Sequence, residues 1–521
     1  MAGFGVAVCE PIGWHPKDFA VLKQRLAHSE WLHMVSSPTF CDNLEEVRGF
    51  VADYGLTSLA IVGPVVRAAL AEAAKAAESA GVPRYAIQTL PFQLYHRRDD
   101  GLLGETWALA SACLARKAAS ASFASRAVTA STRDSRVERR DLFSSLQRLG
   151  NEPVEDPVMV PERCSPFHRT CRFCSDACLY SAISHEGSTA RIDPARCIHC
   201  GACAAVCPSG ALQPPVFSDD EYRALLREFA FRSASFENPL VVFTSDLGIS
   251  MLEAEARSGL GLLEGMVAVR SPTAAPLGWP HYLWAASAGV PVLSVCLAEE
   301  ASKHPEAKGA EERAHAAYET LRGSYKTLVS YRTLGPTEKL SDICAESAQH
   351  AIRRLGVSFT PPGSRVDAVH GVPLSVVADT EVRLPGLNSF DVSVNEKCTL
   401  CGTCSNVCPV RAFTVATVGG EMELRFSPGQ CTGCGICVAE CPEGAMEVAK
   451  AFSPAWLDFK SRTVKARDPV ELCRRCGKAV GSHSSLSKLH DHLVQQGSAA
   501  LADSVYLCQE CKVEGSSAAG A

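Results

Sequence analysis

Between Cys398 and Pro442 the chain carries the same ligand phrase twice. Cys398, Cys401, Cys404 and Cys408 follow the pattern Cys-x2-Cys-x2-Cys-x3-Cys-Pro, and Cys431, Cys434, Cys437 and Cys441, with Pro442, repeat it. Three thiolates separated by two residues each can curl around one corner of an iron–sulfur cubane, whereas the fourth lies a turn further on and reaches a second cubane. The spacing therefore predicts two [4Fe–4S] clusters that cross-link the halves. One would be held by Cys398, Cys401, Cys404 and Cys441, the other by Cys431, Cys434, Cys437 and Cys408. Gly402, Gly433 and Gly435 permit a tight backbone whose peptide N–H groups aim at sulfur and help to set the potential. A disulfide-rich or zinc-binding segment is the bland alternative, and eight cysteines in duplicated register speak against it.

A related array stands upstream. Cys197, Cys200, Cys203, Cys207 and Pro208 complete the phrase, while Cys171, Cys174 and Cys178 form an imperfect first half with Leu179 in place of proline. The remaining ligand is either Cys164 or His168, and because thiolate is the usual cubane ligand Cys164 is the expected one. A neutral His168 would raise the potential and make it pH-sensitive. Cross-ligation then gives Cys164, Cys171, Cys174 and Cys207 for one cluster, and Cys197, Cys200, Cys203 and Cys178 for the other.

Near the end, Cys473-x2-Cys476 and Cys508-x2-Cys511 bracket a helix expected to carry Leu486, Leu489 and Leu493 on one face. Two such knuckles predict a tetrahedral four-thiolate site, with zinc as first choice and rubredoxin-type iron or a further cluster as alternatives. His483, His490 and His492 are spare donors that a filled shell does not need.

Composition agrees with metal ligation. The chain has 521 residues, 46% of them hydrophobic and 21% charged, the balance of an ordinary globular protein of about three or four domains. Twenty-five cysteines, most in Cys-x2-Cys arrays, point to a reducing compartment. The N-terminus lacks the basic stretch and apolar run of a signal peptide, so a cytoplasmic location is expected. No apolar run is long enough to span a membrane. A net charge of −6 gives no support to nucleic-acid binding, and Arg133, Arg136, Arg139 and Arg140, interleaved with Asp134, Glu138 and Asp141, read as a solvated helix face.

The elements that must position these thiols alternate in type. "GFGVAV", "TSLAIVG" and "RYAIQTL" read as strands among helices over residues 1–121, and "PLVVFTS", "GMVAVR", "VPVLSV" and "KTLVSY" do so over 216–360. The expected fold class is α/β and α+β multidomain. It comprises two small parallel-sheet α/β domains, two dicluster modules of βαββαβ type, and a zinc-ribbon-like C-terminal module. The expected boundaries are 1–121 for the first α/β domain, 122–160 for a linker, 161–215 for a dicluster module and 216–360 for the second α/β domain. A second linker, 361–390, leads to the second dicluster module at 391–450 and the four-cysteine tail at 451–521. Cys9, Cys41 and Cys113 read as isolated core thiols, as does Cys344 on a helix. "GLGLLEG", Gly259 to Gly265, has the wrong spacing for a dinucleotide loop, so neither flavin nor NAD is expected.

Both cysteine arrays resemble bacterial ferredoxins. The segment "GLTSLAIVGPVVRAALAEAAKAAESAGVPRYAIQTLPFQ" resembles the N-terminal domain of the heterodisulfide reductase large subunit, but Ser36 and Gly63 stand near positions where that family has cysteine. The 216–360 segment resembles the hydrogenase delta subunit, with only Cys296 near a plausible ligand position. The resemblance implies two scaffolds without their own clusters. The whole order is similar to multi-cluster ferredoxins that accompany bacterial molybdenum or tungsten formate dehydrogenases, which implies such an enzyme as partner.

No set of nucleophile, general base and substrate pocket stands out, so the expectation is an electron carrier rather than an enzyme. Its cofactors would be four [4Fe–4S] clusters and one zinc, about sixteen iron atoms in all. The alternatives are an assembly factor for a molybdoenzyme and an iron–sulfur redox sensor.

Overall fold

The computed structural model describes residues 3–9, 32–37, 39–63, 67–82, 87–91, 110, 113–114, 117, 157–164, 170–185, 189–214, 218–236, 238–255, 265–271, 273, 275–303, 306–321, 323–350, 390–451 and 461–518. These fall into two compact units: 1–165 with 173–379 and 385–387, and 166–172 with 380–384 and 388–521. His168, the 133–141 charge run, the second linker up to residue 389 and all of "GLGLLEG" except Gly265 lie outside the described residues.

The first unit opens with a parallel sheet. β1 (Gly3–Cys9), β2 (Leu32–Ser37), β3 (Leu56–Gly63) and β4 (Ile87–Pro91) are arranged in the order β2-β1-β3-β4. Helices α1 (Leu44–Tyr54) and α2 (Arg67–Ser79) cover it through Val47, Phe50, Leu70 and Ala74, all buried. Gly55 ends α1 in the left-handed region, φ 57°, where glycine avoids the Cβ clash. Cys41 is a correction to the reading above: it is buried, but it is disulfide-bonded rather than free.

The small cysteine-rich segment follows. It contains β5 (Val158–Met159), α3 (Pro161–Cys164), α4 (Phe173–Asp176), β6 (Ile183–Ser184), β7 (Arg191–Ile192), α5 (Ala202–Val206) and β8 (Leu212–Gln213). Antiparallel pairs β5–β8 and β6–β7 frame it.

Next, α6 (Asp219–Arg232) starts from a capping box in which Ser218 Oγ accepts from Glu221 N–H and the Glu221 carboxylate accepts from Ser218 N–H. It leads into a second parallel sheet, β9 (Leu240–Thr244), β10 (Met266–Arg270), β11 (Val292–Leu297) and β12 (Val329–Leu334), in the order β10-β9-β11-β12. Every residue of β9 and β11 is buried, as befits central strands covered on both faces. The helices are α7 (Asp246–Glu255), α8 (Trp279–Ser287), α9 (Ala298–Lys303), α10 (Glu306–Thr320) and α11 (Leu340–His350).

In the second unit β13 (Phe390–Val394) pairs antiparallel with β16 (Met446–Lys450), enclosing α12 (Thr403–Val407) and α13 (Ile436–Ala439). The hairpin β14 (Phe413–Val418) and β15 (Glu421–Phe426) is extended by β17 (Thr463–Leu472) and β18 (Ala479–Ser482) into one sheet, β14-β15-β17-β18. The C-terminal knuckles are thus built onto the dicluster segment by backbone pairing. Helices α14 (His483–Gln495), α15 (Ala499–Ser504) and α16 (Gln509–Ala518) complete the unit. Among the described residues no helix is long and apolar enough to cross a membrane.

Candidate metal centres

In the second unit the thiols predicted from spacing to share a cluster lie in one another's fields. Burial first, then the charge of Cys398 with that of Cys401 and Cys441, pushes Cys404 up to about 12. Burial and the neighbouring Cys401 and Cys441 raise Cys398 likewise. On the other side burial, with Cys434, Cys408 and Cys404, pushes Cys437 up to about 12, and burial with Cys437, Cys434 and Cys408 raises Cys431. Thiolates packed this densely away from water would repel one another, so these sulfurs keep their protons unless a cationic core takes their place. A soft four-sulfur donor set of this kind suits an iron–sulfur cluster, which supplies one-electron redox chemistry.

The first unit repeats this. Burial, then Cys200, Cys197, Cys174 and Cys178, raises Cys203. Burial, with Cys207 adding to it, raises Cys164, whose sulfur also accepts the Ala190 N–H at 3.5 Å. Cys171 belongs to the short stretch counted with the second unit, where the neighbouring Thr170 donates its hydroxyl to the Cys434 carbonyl at 2.6 Å.

The backbone that presents these thiols follows a recurrent plan. Three residues after each fourth cysteine the chain enters the left-handed region: Ser181 at φ 50°, Gly210 at 64°, Arg411 at 53° and Gly444 at 58°. One residue later stands an alanine each time, Ala182, Ala211, Ala412 and Ala445, all at most 3% exposed. The twist turns the next N–H back onto sulfur, from Ala182 to Cys178 at 3.4 Å, Ala412 to Cys408 at 3.2 Å and Ala445 to Cys441 at 3.4 Å. A second left-handed pair flanks the second cysteine of three motifs. It comprises His199 and Gly201, Leu400 and Gly402, and Gly433 and Gly435. Non-glycine residues held there cost of order 1–3 kcal/mol each, strain characteristic of functional sites. The Gly433 N–H points at Cys431 Sγ, 3.4 Å away.

Several groups around these thiols carry no signal in the cysteine spacing. The Thr403 hydroxyl is 3.3 Å from Cys401 Sγ, the Ser209 hydroxyl 3.6 Å from Cys207 Sγ, and His185 Nε2 3.8 Å from Cys174 Sγ. The Cys-Pro-x-x-Ala repeat was available in the sequence as a signal for the alanines; nothing there marks His185.

At the C-terminus the sulfurs of Cys473, Cys476, Cys508 and Cys511 all lie within 4.8 Å of one another, and Cys476 and Cys508 are 3.5 Å apart. Zinc–sulfur bonds of about 2.3 Å in a tetrahedron put sulfurs roughly 3.8 Å apart, so the four fit a metal ion. The knuckle turns at Gly477, φ 72°, whose N–H reaches the Cys473 carbonyl. N–H donation from Cys508 to Cys473 Sγ, at 3.3 Å, leads the effects that hold this thiol down at about 6. The spare histidines stay outside: His483 pairs with Glu471, His490 with Asp491 and His492 with Gln496. Cys296 and Cys344 are buried thiols, Cys296 donating to the Leu297 carbonyl at 3.7 Å and Cys344 pushed up to about 12 by burial and then Glu255.

The family model of the 4Fe-4S dicluster domain matches residues 169–211 and 397–445, the two segments built on this plan. No curated protein matches the chain. The chain is an iron–sulfur protein of ferredoxin type in these segments, set among parallel-sheet domains.

Proposed function

We propose that the chain is a cytoplasmic polyferredoxin that relays electrons, one at a time, between a partner redox enzyme and a second donor or acceptor. The observation that carries this reading is the left-handed turn after each fourth cysteine, with its buried alanine and N–H groups turned onto sulfur. Fixed donors of this sort favour the reduced, more negative cluster and need little rearrangement when an electron arrives. Four [4Fe–4S] clusters, on the ligand sets given above with Cys164 completing the first, make a relay. The four-cysteine site binds zinc in a ribbon-like module. The two parallel-sheet domains, with their resemblance to heterodisulfide reductase and hydrogenase delta modules, serve as docking scaffolds, and a formate dehydrogenase is the partner.

Anaerobic iron, sulfide and zinc analysis, combined with stopped-flow reduction and reoxidation by the partner, tests this. About sixteen iron atoms, reducible and reoxidised at the partner's turnover rate, are expected. Colourless protein, or clusters that no physiological reductant reaches, would sink the reading.

A further inference from the structure

The second parallel-sheet domain packs directly against one cluster loop of the first unit. Thr273 and residues 275–278 lie over Cys200 to Ala205: Thr273 donates its hydroxyl to the Cys200 carbonyl at 3.1 Å, and a Cβ on Gly201 would meet Pro276 at 2.8 Å. A Cβ on Gly278 would meet the Ala205 carbonyl at 2.4 Å, so glycine at both positions lets the two backbones touch. This segment is clamped from beneath by Arg313 on α10, which donates from Nε to the Leu277 carbonyl at 3.2 Å and from a terminal nitrogen to the Ala275 carbonyl at 2.7 Å. Helix α10 also packs beside α5, which carries Cys203.

Arg313 is 4% exposed, and among the described residues it forms no ion pair. Its neighbours Glu311 and Glu312 are exposed. A buried guanidinium satisfied only by carbonyls lacks a compensating charge, and burying such a cation is costly. Burial pulls the Arg313 pKa down, while Tyr282 and then Cys200 oppose it. Among the charges that face this cation, Cys200 of the proposed cage acts ahead of the exposed Glu312 carboxylate.

Resting on the electron-carrier reading, we propose that Arg313 is a potential-setting residue. Its fixed charge makes the cluster held by Cys178, Cys197, Cys200 and Cys203 the first of its module to be reduced. Adding one electron increases the cage's negative charge near a buried cation, so the reduced state gains more than the oxidised one.

Anaerobic redox titration of the full chain, followed by EPR and accompanied by iron analysis, tests this on R313Q and R313K. With iron content unchanged, R313Q is expected to raise that cluster's oxidised-to-reduced ratio at fixed potential about tenfold, a downward shift of about 59 mV, and to leave the other clusters in place. R313K, which keeps the charge, stays close to the native protein. No shift in iron-replete R313Q overturns the proposal, as does an R313K shift equal to that of R313Q, which would make Arg313 a clamp only. Should R313Q lose iron, Cys200→Ser in the otherwise native chain decides: the signal that vanishes must be the earlier-reduced of the module's two, and loss of the later one overturns the proposal. A native protein without reducible clusters overturns the electron-carrier reading as well.

Discussion

The main-chain N–H of Ala412 stands 3.2 Å from Cys408 Sγ, and Ala445 stands in the same relation to Cys441 at 3.4 Å. A side chain at this position is directed into the core beside the cage, where Ala412 packs among Leu400, Cys404 and Phe413. Ala412→Leu overfills that space and is expected to destabilise the unit by about 1–3 kcal/mol, with iron lost per chain. Ala412→Ser, nearly the same size, keeps it. Anaerobic thermal unfolding with iron analysis checks both; a leucine variant with native iron content and melting temperature would refute the packing argument.

Gly433 and Gly435 separate backbone strain from crowding. Gly435 has φ 76° and nothing within 4 Å of where a Cβ would stand, so Gly435→Ala carries the left-handed penalty alone, about 1–2 kcal/mol. Gly433 has φ 67° and a Cβ there would fall 2.5 Å from the Phe390 ring. Gly433→Ala should cost clearly more, and Phe390→Leu in the same chain should recover part of the excess. Equal losses for the two alanine variants in denaturant titrations would contradict this division.

The cysteine motifs, seven of the eight strands of the two parallel sheets and the start of α6 at Ser218 could all be read from the sequence, because ligand spacing, apolar runs and capping residues are local signals. No local pattern marks "LHMVSS" as a strand, since β2 owes its place to pairing with β1, Phe4 opposite Leu32 through Cys9 opposite Ser37. Leu400, His199, Ser181 and Arg411 take left-handed conformations against their own preference. The tertiary cage imposes them, so no local rule announces them. Arg313 lies more than a hundred residues from Cys200, and only the fold brings its helix to α5. Nor does spacing reveal that β17 joins the ferredoxin-type hairpin, which merges the tail with the module before it.

Cross-ligation predicts which variants share a phenotype. If Cys408 completes the cage of Cys431, Cys434 and Cys437, then Cys408→Ser and Cys434→Ser should remove the same EPR signal on reduction. Cys401→Ser should remove the other. Burial, followed by Cys434, Cys408 and Cys404, raises the Cys437 thiol, so the fields of both proposed cages reach it and only the variants separate them. A Cys408→Ser variant that loses the signal lost in Cys401→Ser would show that each motif closes on its own cluster.

If the four C-terminal thiols hold a metal as proposed, removing it should disturb one of the two proposed clusters of the second unit and spare its neighbour. The four-thiolate site anchors the ends of a segment whose Ser482 hydroxyl donates to the Thr399 carbonyl at 2.6 Å, next to Cys398, and whose Lys488 pairs with Glu443, two residues beyond Cys441. Cys398 and Cys441 belong to the same proposed cage. Pairing of β17 with β15, Leu424 opposite Ala466, is independent of the metal and should hold the sheet together. In Cys476→Ser, which removes one ligand, hydrogen exchange should quicken over 473–511 while β14 and β15 stay protected. The EPR signal of the Cys398 cage should shift or broaden, the signal of the Cys431 cage should stay as it was, and the iron content should hold. Loss of both clusters together with the metal would mean that the knuckles support the whole unit, whereas two unchanged signals would mean that the Ser482 and Lys488 contacts do not depend on the metal.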